Sequence, residues 1–263
     1  MTEFSADELH INHRYVLTLA AHFCRERENP KILDYGCGAA QTVAAGRRQG
    51  LEIFGADIFY AGSNDRQVVE KSGLFGTIVR EIRNGRIDFP DGYFDFVFSN
   101  QVLEHVEDLE GVLAEIRRVL KPDGRSVHLF PSRDVWREGH CGIPFLHWFS
   151  KDSPVRYPYA LSLRLLGLGK FKRVDPKGWT RRMLDFLDEY CVYRNRAAIF
   201  AAFRKYFDFE LIEDDYIYYR LGETRLHFLR PLIRWPVIKP IAKEMFRKLG
   251  GLVLLASPTT RFE

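Results

Sequence analysis

Ile32-Leu33-Asp34-Tyr35-Gly36-Cys37-Gly38-Ala39-Ala40 reads as a short apolar strand that closes on a carboxylate, turns through two glycines and opens a helix on small residues. Without a Cβ, Gly36 and Gly38 let the backbone approach a ligand that side chains would hold off, and a helix start beyond them offers unpaired N–H groups. The turn therefore belongs to a nucleotide-type pocket. A dinucleotide fingerprint would put a third glycine at position 41, where Gln41 stands, and its turn is not ordinarily preceded by an acid. An acid at the strand end repels a pyrophosphate and attracts an ammonium group, so the expected ligand is cationic at one end.

Leu51 to Asp57 reads as a second strand ending on an acid, at about the separation where nucleotide folds place a ribose-binding carboxylate. Asp57 can take both ribose hydroxyls. Phe89 to Asn100 reads as a turn, a buried strand and a polar strand end, followed by Gln101 to Val106 and an amphipathic run from Leu109 to Leu120. Lys121-Pro122-Asp123-Gly124 ends that run and starts another apolar strand, Ser126 to Phe130.

Three motifs in this order, ILDYGCG at 32–38, FPDGYFDFVFSNQVLEHV at 89–106 and EIRRVLKPDGR at 115–125, resemble class I S-adenosylmethionine-dependent methyltransferases. The subgroup is the one sharing its motifs with ubiquinone and menaquinone C-methylases. The resemblance implies S-adenosylmethionine as cofactor, with Asp34, Tyr35, Gly36, Cys37 and Gly38 around its methionine and sulfonium side. It also implies that Asp57 holds the ribose, that Ile58 packs on the adenine, and that Asn100 and Gln101 border the reaction centre. Relatives commonly carry an acid for the adenine amino group where Arg83-Asn84-Gly85-Arg86-Ile87 stands here. Asn84, a backbone carbonyl, or Glu81 through a shifted register are the available substitutes.

Alternation of strand and helix implies a mostly parallel sheet. Strands are expected near 31–35, 51–57, 76–80, 94–99 and 125–130, with a helix over 12–27 leading into the first. Further strands are expected over 207–219 and 251–257; by resemblance they close a seven-stranded, Rossmann-like, doubly wound α/β sheet whose last strand is antiparallel. The whole of 1–263 reads as one domain: a core from 28–133 and 205–263, and a helical insertion after the fifth strand, 134–204, facing the substrate. Helices within the insertion are expected near 155–167, 179–191 and 195–206. His10, His13 and Arg14, at the start of the first helix, read as exposed polar residues or, alternatively, as a border of the cofactor pocket.

Four cysteines form no CxxC pair, and no N-terminal apolar segment resembles a signal peptide, which points to a reducing, cytoplasmic setting. No apolar run reaches the roughly 20 residues of a membrane-spanning helix. The net charge is +4, yet residues 151–182 and 220–250 together carry +13, leaving −9 elsewhere. Within the basic apolar segment 223–248, the stretch 225–248 interleaves Arg230, Arg234 and Lys239 with Phe228, Trp235 and aliphatic residues. Such a stretch suits an anionic membrane surface or a lipid-linked acceptor, or else a proline-broken cover over the sheet. No nucleic-acid-binding module is visible.

Open α/β sheets bind ligands at the carboxyl ends of their strands, so the loop after the fifth strand is where acceptor chemistry belongs. There Glu138, His140 and His147 stand close together among glycine, proline and tryptophan. Histidine suits proton removal from a hydroxyl near neutral pH; His140, oriented by Glu138, is the expected base and His147 its substitute. The same histidines would equally serve a loop that shapes the substrate or satisfies buried carbonyls. Glu138, His140 and His147 have metal-ligand types, but their spacing matches no standard zinc pattern, and no metal is expected. His105 reads either as a neighbour of the cofactor pocket or as a structural contact. The expected activity is O-methylation of a small molecule, sugar or lipid-linked intermediate; by resemblance it lies in cell-surface glycan or lipid assembly. The alternatives are C-methylation of a quinone-like ring and a cofactor-binding accessory protein without turnover.

Overall fold

Apolar runs too short for helices pair into one sheet: β1 (Lys31–Tyr35), β2 (Glu52–Asp57), β3 (Val79–Glu81), β4 (Phe94–Asn100), β5 (Leu120–Phe130), β6 (Phe207–Leu211) and β7 (Leu252–Pro258). The computed structural model describes residues 9–171 and 173–259; the outer ends of the expected domain range and Lys172 of the basic stretch 151–182 lie outside it. Strand order is β3-β2-β1-β4-β5-β7-β6. All neighbours run parallel except β7, which is antiparallel to both β5 and β6. This is the Rossmann-like sheet expected, with the antiparallel strand wedged one place in from the edge.

Every residue of β4 except Asn100 is buried, as a central parallel strand covered on both faces requires. Asp95 is charged within this strand; Lys121 Nζ (2.8 Å), the Lys31 N–H (2.9 Å) and Arg27 (2.9 Å) satisfy it. Ten helices among the described residues cover the sheet: α1 (Ile11–Cys24), α2 (Gln41–Arg48), α3 (Asp65–Lys71), α4 (Leu109–Val119), α5 (Arg156–Leu165), α6 (Pro176–Tyr190), α7 (Arg196–Arg204), α8 (Glu213–Gly222), α9 (Arg230–Ile233) and α10 (Ile238–Leu249). One face packs on α1, α2, α3 and α8 through Val16, Val43, Val69 and Tyr216. The other packs on α4 and α7 through Leu113, Ile116, Ile199 and Phe203. Helices α5 and α6 form a third layer with a small core of their own, Cys141, Ile143, Leu146, Ala160, Trp179 and Leu187.

Two expected strands differ. The run expected as a strand over 207–219 stops at Leu211, and α8 takes over: Glu213, Asp214 and Asp215 fill its first turn, where negative charge is favoured. Tyr216 then turns inward against Tyr15, ring centroids 4.9 Å apart. The strand expected near 76–80 is Val79–Glu81.

Several cations of the basic apolar segment are held by partners on α8. Lys239 and Lys243 pair with Asp214 at 2.7 and 3.0 Å, Arg247 pairs with Glu213 at 2.9 Å, and Arg230 and Arg234 lie 4.0 and 4.2 Å over the Tyr218 ring. Its apolar residues face outward instead: Phe228, Trp235, Val237, Ile241 and Leu249 are 58–73% exposed.

Candidate active site

β1 lies between β2 and β4, so the chain departs to opposite sides of it, and such a switch point opens a crevice at the carboxyl ends of the strands. Asp34 stands there, in register with Gly55 and Phe98. Gly36 has φ +77°, and a Cβ on it would come within 2.4 Å of a Val102 methyl carbon; backbone and space both demand glycine. Beyond Gly38 the chain enters α2 through Ala40 at φ 58° with no side-chain cap, so the first-turn N–H groups face the crevice end of the helix.

The Asp34 carboxyl is fully buried. Desolvation, then the nearby charge of Asp57, push its pKa well above the carboxylate range, while a hydrogen bond from Thr42 pulls the other way. Among the described residues no lysine or arginine pairs with it. A ligand ammonium would supply the missing charge, which is the fit test that S-adenosylmethionine has to meet here. Asp57 accepts the Gly38 and Phe59 N–H groups, both at 2.8 Å, and so pins the glycine turn; burial raises its pKa against those bonds. Each oxygen keeps a lone pair for a ribose hydroxyl.

Ile58 is 62% exposed beside Asp57, an apolar face available to a flat base. Tyr35 and Cys37 differ from the expectation that they line the ligand. The Tyr35 side chain is buried in the core on the α4 face, and Cys37 points beneath Gly55, its thiol pushed well up by burial. Only their backbone borders the turn. Asn84 sits exposed at the tip of a tight turn closed by Arg83 and Arg86, with φ 53° followed by 72° at Gly85. That turn type accounts for an Asn-Gly pair by itself.

Asn100 ends β4 and accepts a hydrogen bond from Asn12 at 3.1 Å; Gln101 follows at φ 57° with its N–H on the Leu129 carbonyl at 2.7 Å. A non-glycine residue in the left-handed region costs backbone energy that the surrounding structure has to hold. These two residues line a cavity of about 330 Å³ together with His10, His13, Tyr216 and Arg220. His10 and His13 therefore border this cavity, as the second reading of them had it, while His10 itself stays exposed. His13 Nδ1 meets Thr42 Oγ1 at 2.6 Å, which links the start of α1 to Asp34, and desolvation lowers the pKa of both histidines. Asn12, Thr42, Tyr216 and Arg220 give no local sequence signal; the packing of α1 and α8 collects them.

On the other side of the crevice, the loop after β5 folds back on itself: Arg137 bridges Pro144, and the Glu138 N–H reaches the Ile143 carbonyl at 3.1 Å. This hairpin brings Glu138 Oε1 to 2.7 Å from His140 Nδ1, the pairing that the sequence suggested. Tyr193 donates to the same oxygen at 2.5 Å, and the Cys141 N–H donates to the other at 2.5 Å. Burial alone would raise the Glu138 pKa, but these donors hold it well below the carboxylate range. A carboxylate only accepts, so His140 carries a proton on Nδ1, and in the neutral ring Nε2 is the nitrogen left to accept.

His147 is not part of this pair. Its Nε2 donates to the Arg133 carbonyl at 3.1 Å and its ring lies 4.8 Å from Tyr193, a structural lock beneath the loop. His105 does join: its ring centroid is 5.0 Å from that of His140, and its Nδ1 meets the Tyr190 carbonyl at 2.7 Å. Cys191 Sγ lies 3.8 Å from Nδ1 of each histidine. Glu104 is buried beside them with neither oxygen hydrogen-bonded, and desolvation pushes its pKa up to about 8. The His105 N–H bonds back to the Val102 carbonyl at 2.9 Å, and Val102 is the residue over Gly36. One turn of chain thus joins the glycine turn to the histidine cluster.

The family model described as "Methyltransferase domain" matches residues 33–128, from β1 into β5. A sterol 24-C-methyltransferase of Yarrowia lipolytica is 39% identical over 101 residues, 36% of this chain and 26% of that protein. A ubiquinone biosynthesis O-methyltransferase of Pectobacterium atrosepticum is 31% identical over 104 residues, 38% of this chain and 41% of that one. The chain thus matches about a quarter to two fifths of the length of these relatives. An S-adenosylmethionine-dependent methyltransferase structure from Mesorhizobium loti aligns over 89% of this chain and 93% of its own, with 16% identity and a TM-score of 0.48.

Proposed function

We propose that this chain, whose residues 33–128 match a methyltransferase domain, transfers a methyl group from S-adenosylmethionine to a hydroxyl of a small-molecule or lipid-linked acceptor. The observation that carries the reading is the adjacency, across Val102, of the Asp34–Gly38 turn and the Glu138–His140 pair. When bound, the cofactor supplies a methyl on a sulfonium, an electrophile that needs no further activation. Asp34 faces the ammonium, Gly36 and Gly38 admit the backbone-close tail, Asp57 takes the ribose and Ile58 the adenine. Asn100 and Gln101 border the reacting end. The protein's remaining tasks are alignment and removal of the acceptor proton. Glu138 fixes the His140 tautomer so that Nε2 can accept that proton, and Tyr193 keeps Glu138 ionised.

Carbon methylation is the second reading; it draws on the sterol 24-C-methyltransferase relatives, whose similarity covers the cofactor half alone. The outward apolar row of α10 supports an acceptor met at an anionic membrane face, with the protein peripheral to it. No helix among the described residues is long and apolar enough to cross a membrane. In the deciding experiment, extracted host small molecules are incubated with the protein and methyl-labelled cofactor, and the product is fragmented to locate the label on oxygen or carbon. His140→Gln should slow turnover by roughly 10²–10⁴ with unchanged affinity for S-adenosylhomocysteine. Undiminished turnover would remove the base from the scheme, and cofactor binding with no labelled product would favour the accessory-protein reading.

A further inference from the structure

His105, His140 and Cys191 come from three separate places in the chain: the segment after β4, the hairpin after β5, and the residue that ends α6. One ligand atom from each lies within 4.8 Å of the others. The two Nδ1···Sγ distances are both 3.8 Å. With Zn–S near 2.3 Å and Zn–N near 2.0 Å, a tetrahedral N···S edge is about 3.6 Å. Glu138 Oε1, 2.7 Å from His140 Nδ1, is a hydrogen-bond partner of that ring and lies outside the group of three mutually close donors, so solvent would supply the fourth ligand. Two imidazoles and a thiol are a donor set for zinc and a poor one for magnesium or calcium.

Glu104 is the second, independent observation. It is 1% exposed, neither oxygen has a hydrogen-bond partner, and Oε1 lies 4.0 Å from His105 Nε2. In the hydrogen-bonded arrangement His105 spends its proton on the Tyr190 carbonyl through Nδ1, so Nε2 has nothing to give Glu104. With a cation on Nδ1 the proton moves to Nε2, toward Glu104, and the buried carboxyl gains the partner it lacks. Metal-bound histidines ordinarily show this carboxylate behind the ring.

We propose that His105, His140 and Cys191 bind one Zn²⁺, and that its binding blocks methyl transfer. The second half rests on His140 as proton acceptor: a cation on Nδ1 forces the remaining ring proton onto Nε2, the atom that has to be bare. Zinc is thus an inhibitory ligand of the same site.

The test titrates the metal-free full-length protein with Zn²⁺ against a chromophoric chelator, then measures methyl transfer at the same free zinc. About one equivalent should bind, with at least roughly tenfold weaker binding in each of Cys191→Ser and His105→Ala. Cobalt should give a thiolate charge-transfer band that Cys191→Ser removes. Turnover should fall as zinc fills the site, and Cys191→Ser should keep its turnover at that zinc concentration. No stoichiometric binding, or equal binding by both folded variants, would overturn the site. Stoichiometric binding that leaves turnover intact would uphold the site and overturn inhibition along with the role of His140.

Discussion

Asp34→Asn should move stability and ligand affinity in opposite directions. The wild-type carboxyl is buried beside Asp57 and its pKa is raised, so folding disfavours its ionised form. A carboxyl with a raised folded pKa loses stability as pH climbs above its unfolded value, because the unfolded chain ionises first. Each unit of the rise costs about 1.4 kcal/mol once pH exceeds the folded pKa. Asparagine keeps the shape and a hydrogen-bond acceptor for Thr42 but has no charge to desolvate, so it should be more stable than wild type at pH 7–8 and closer to it near pH 4. S-adenosylhomocysteine should bind the variant more weakly by about 1.5–3 kcal/mol, roughly 10- to 150-fold, the range for a hydrogen bond to a charged group. Wild-type binding should also release protons and weaken as pH falls below the raised pKa; the variant should lack that slope. Calorimetry in two buffers of different ionisation heat, beside urea unfolding at three pH values, reads all of this. A variant less stable yet equally able to bind would mean that Asp34 serves the fold, and the ammonium assignment would be lost.

Two further substitutions probe other parts of the molecule. Asp95→Asn should destabilise by about 1–3 kcal/mol at neutral pH. Burial would raise the Asp95 pKa, but Lys121, the Lys31 N–H and Arg27 bring it below normal, so its contribution is present above the unfolded carboxylate pKa and fades as pH falls through the folded one. A wild-type–variant gap that does not shrink in acid would contradict this. Ile241→Glu with Met245→Glu, on the outward side of α10, should leave unfolding unchanged and abolish flotation with anionic phospholipid vesicles. Failure of the wild-type protein to float, or equal flotation by the variant, would refute a lipid-facing α10.

The parts of the fold legible in the chain were those where local pattern and tertiary need agree. Ile32 to Ala40 announces its strand, turn and helix because the glycines and small residues are required by backbone geometry at those positions. The strand expected over 207–219 failed where they disagree: Ile212 to Tyr219 is aromatic and apolar enough for a strand, but three consecutive acids start a helix whose Tyr216 fills a gap beside Tyr15. Glu138 and His140 were readable as neighbours because a short hairpin joins them. His105 and Cys191 are 86 residues apart and meet only because the third layer lies over the strand ends. His147 has the right chemistry in the right loop, yet its Nε2–H is spent on a hydrogen bond to the Arg133 carbonyl.

The placement of β7 between β5 and β6 also sets an order of assembly. During synthesis β6 leaves the ribosome before the strand it must pair with, and α8, α9 and α10 separate the two. Until residues 252–258 emerge, both the β5 edge and β6 expose unpaired backbone, and the nascent chain is then most prone to stray association. Chaperone dependence should therefore be concentrated in the closing stage of translation, while the five strands nearer the amino terminus are already able to pair.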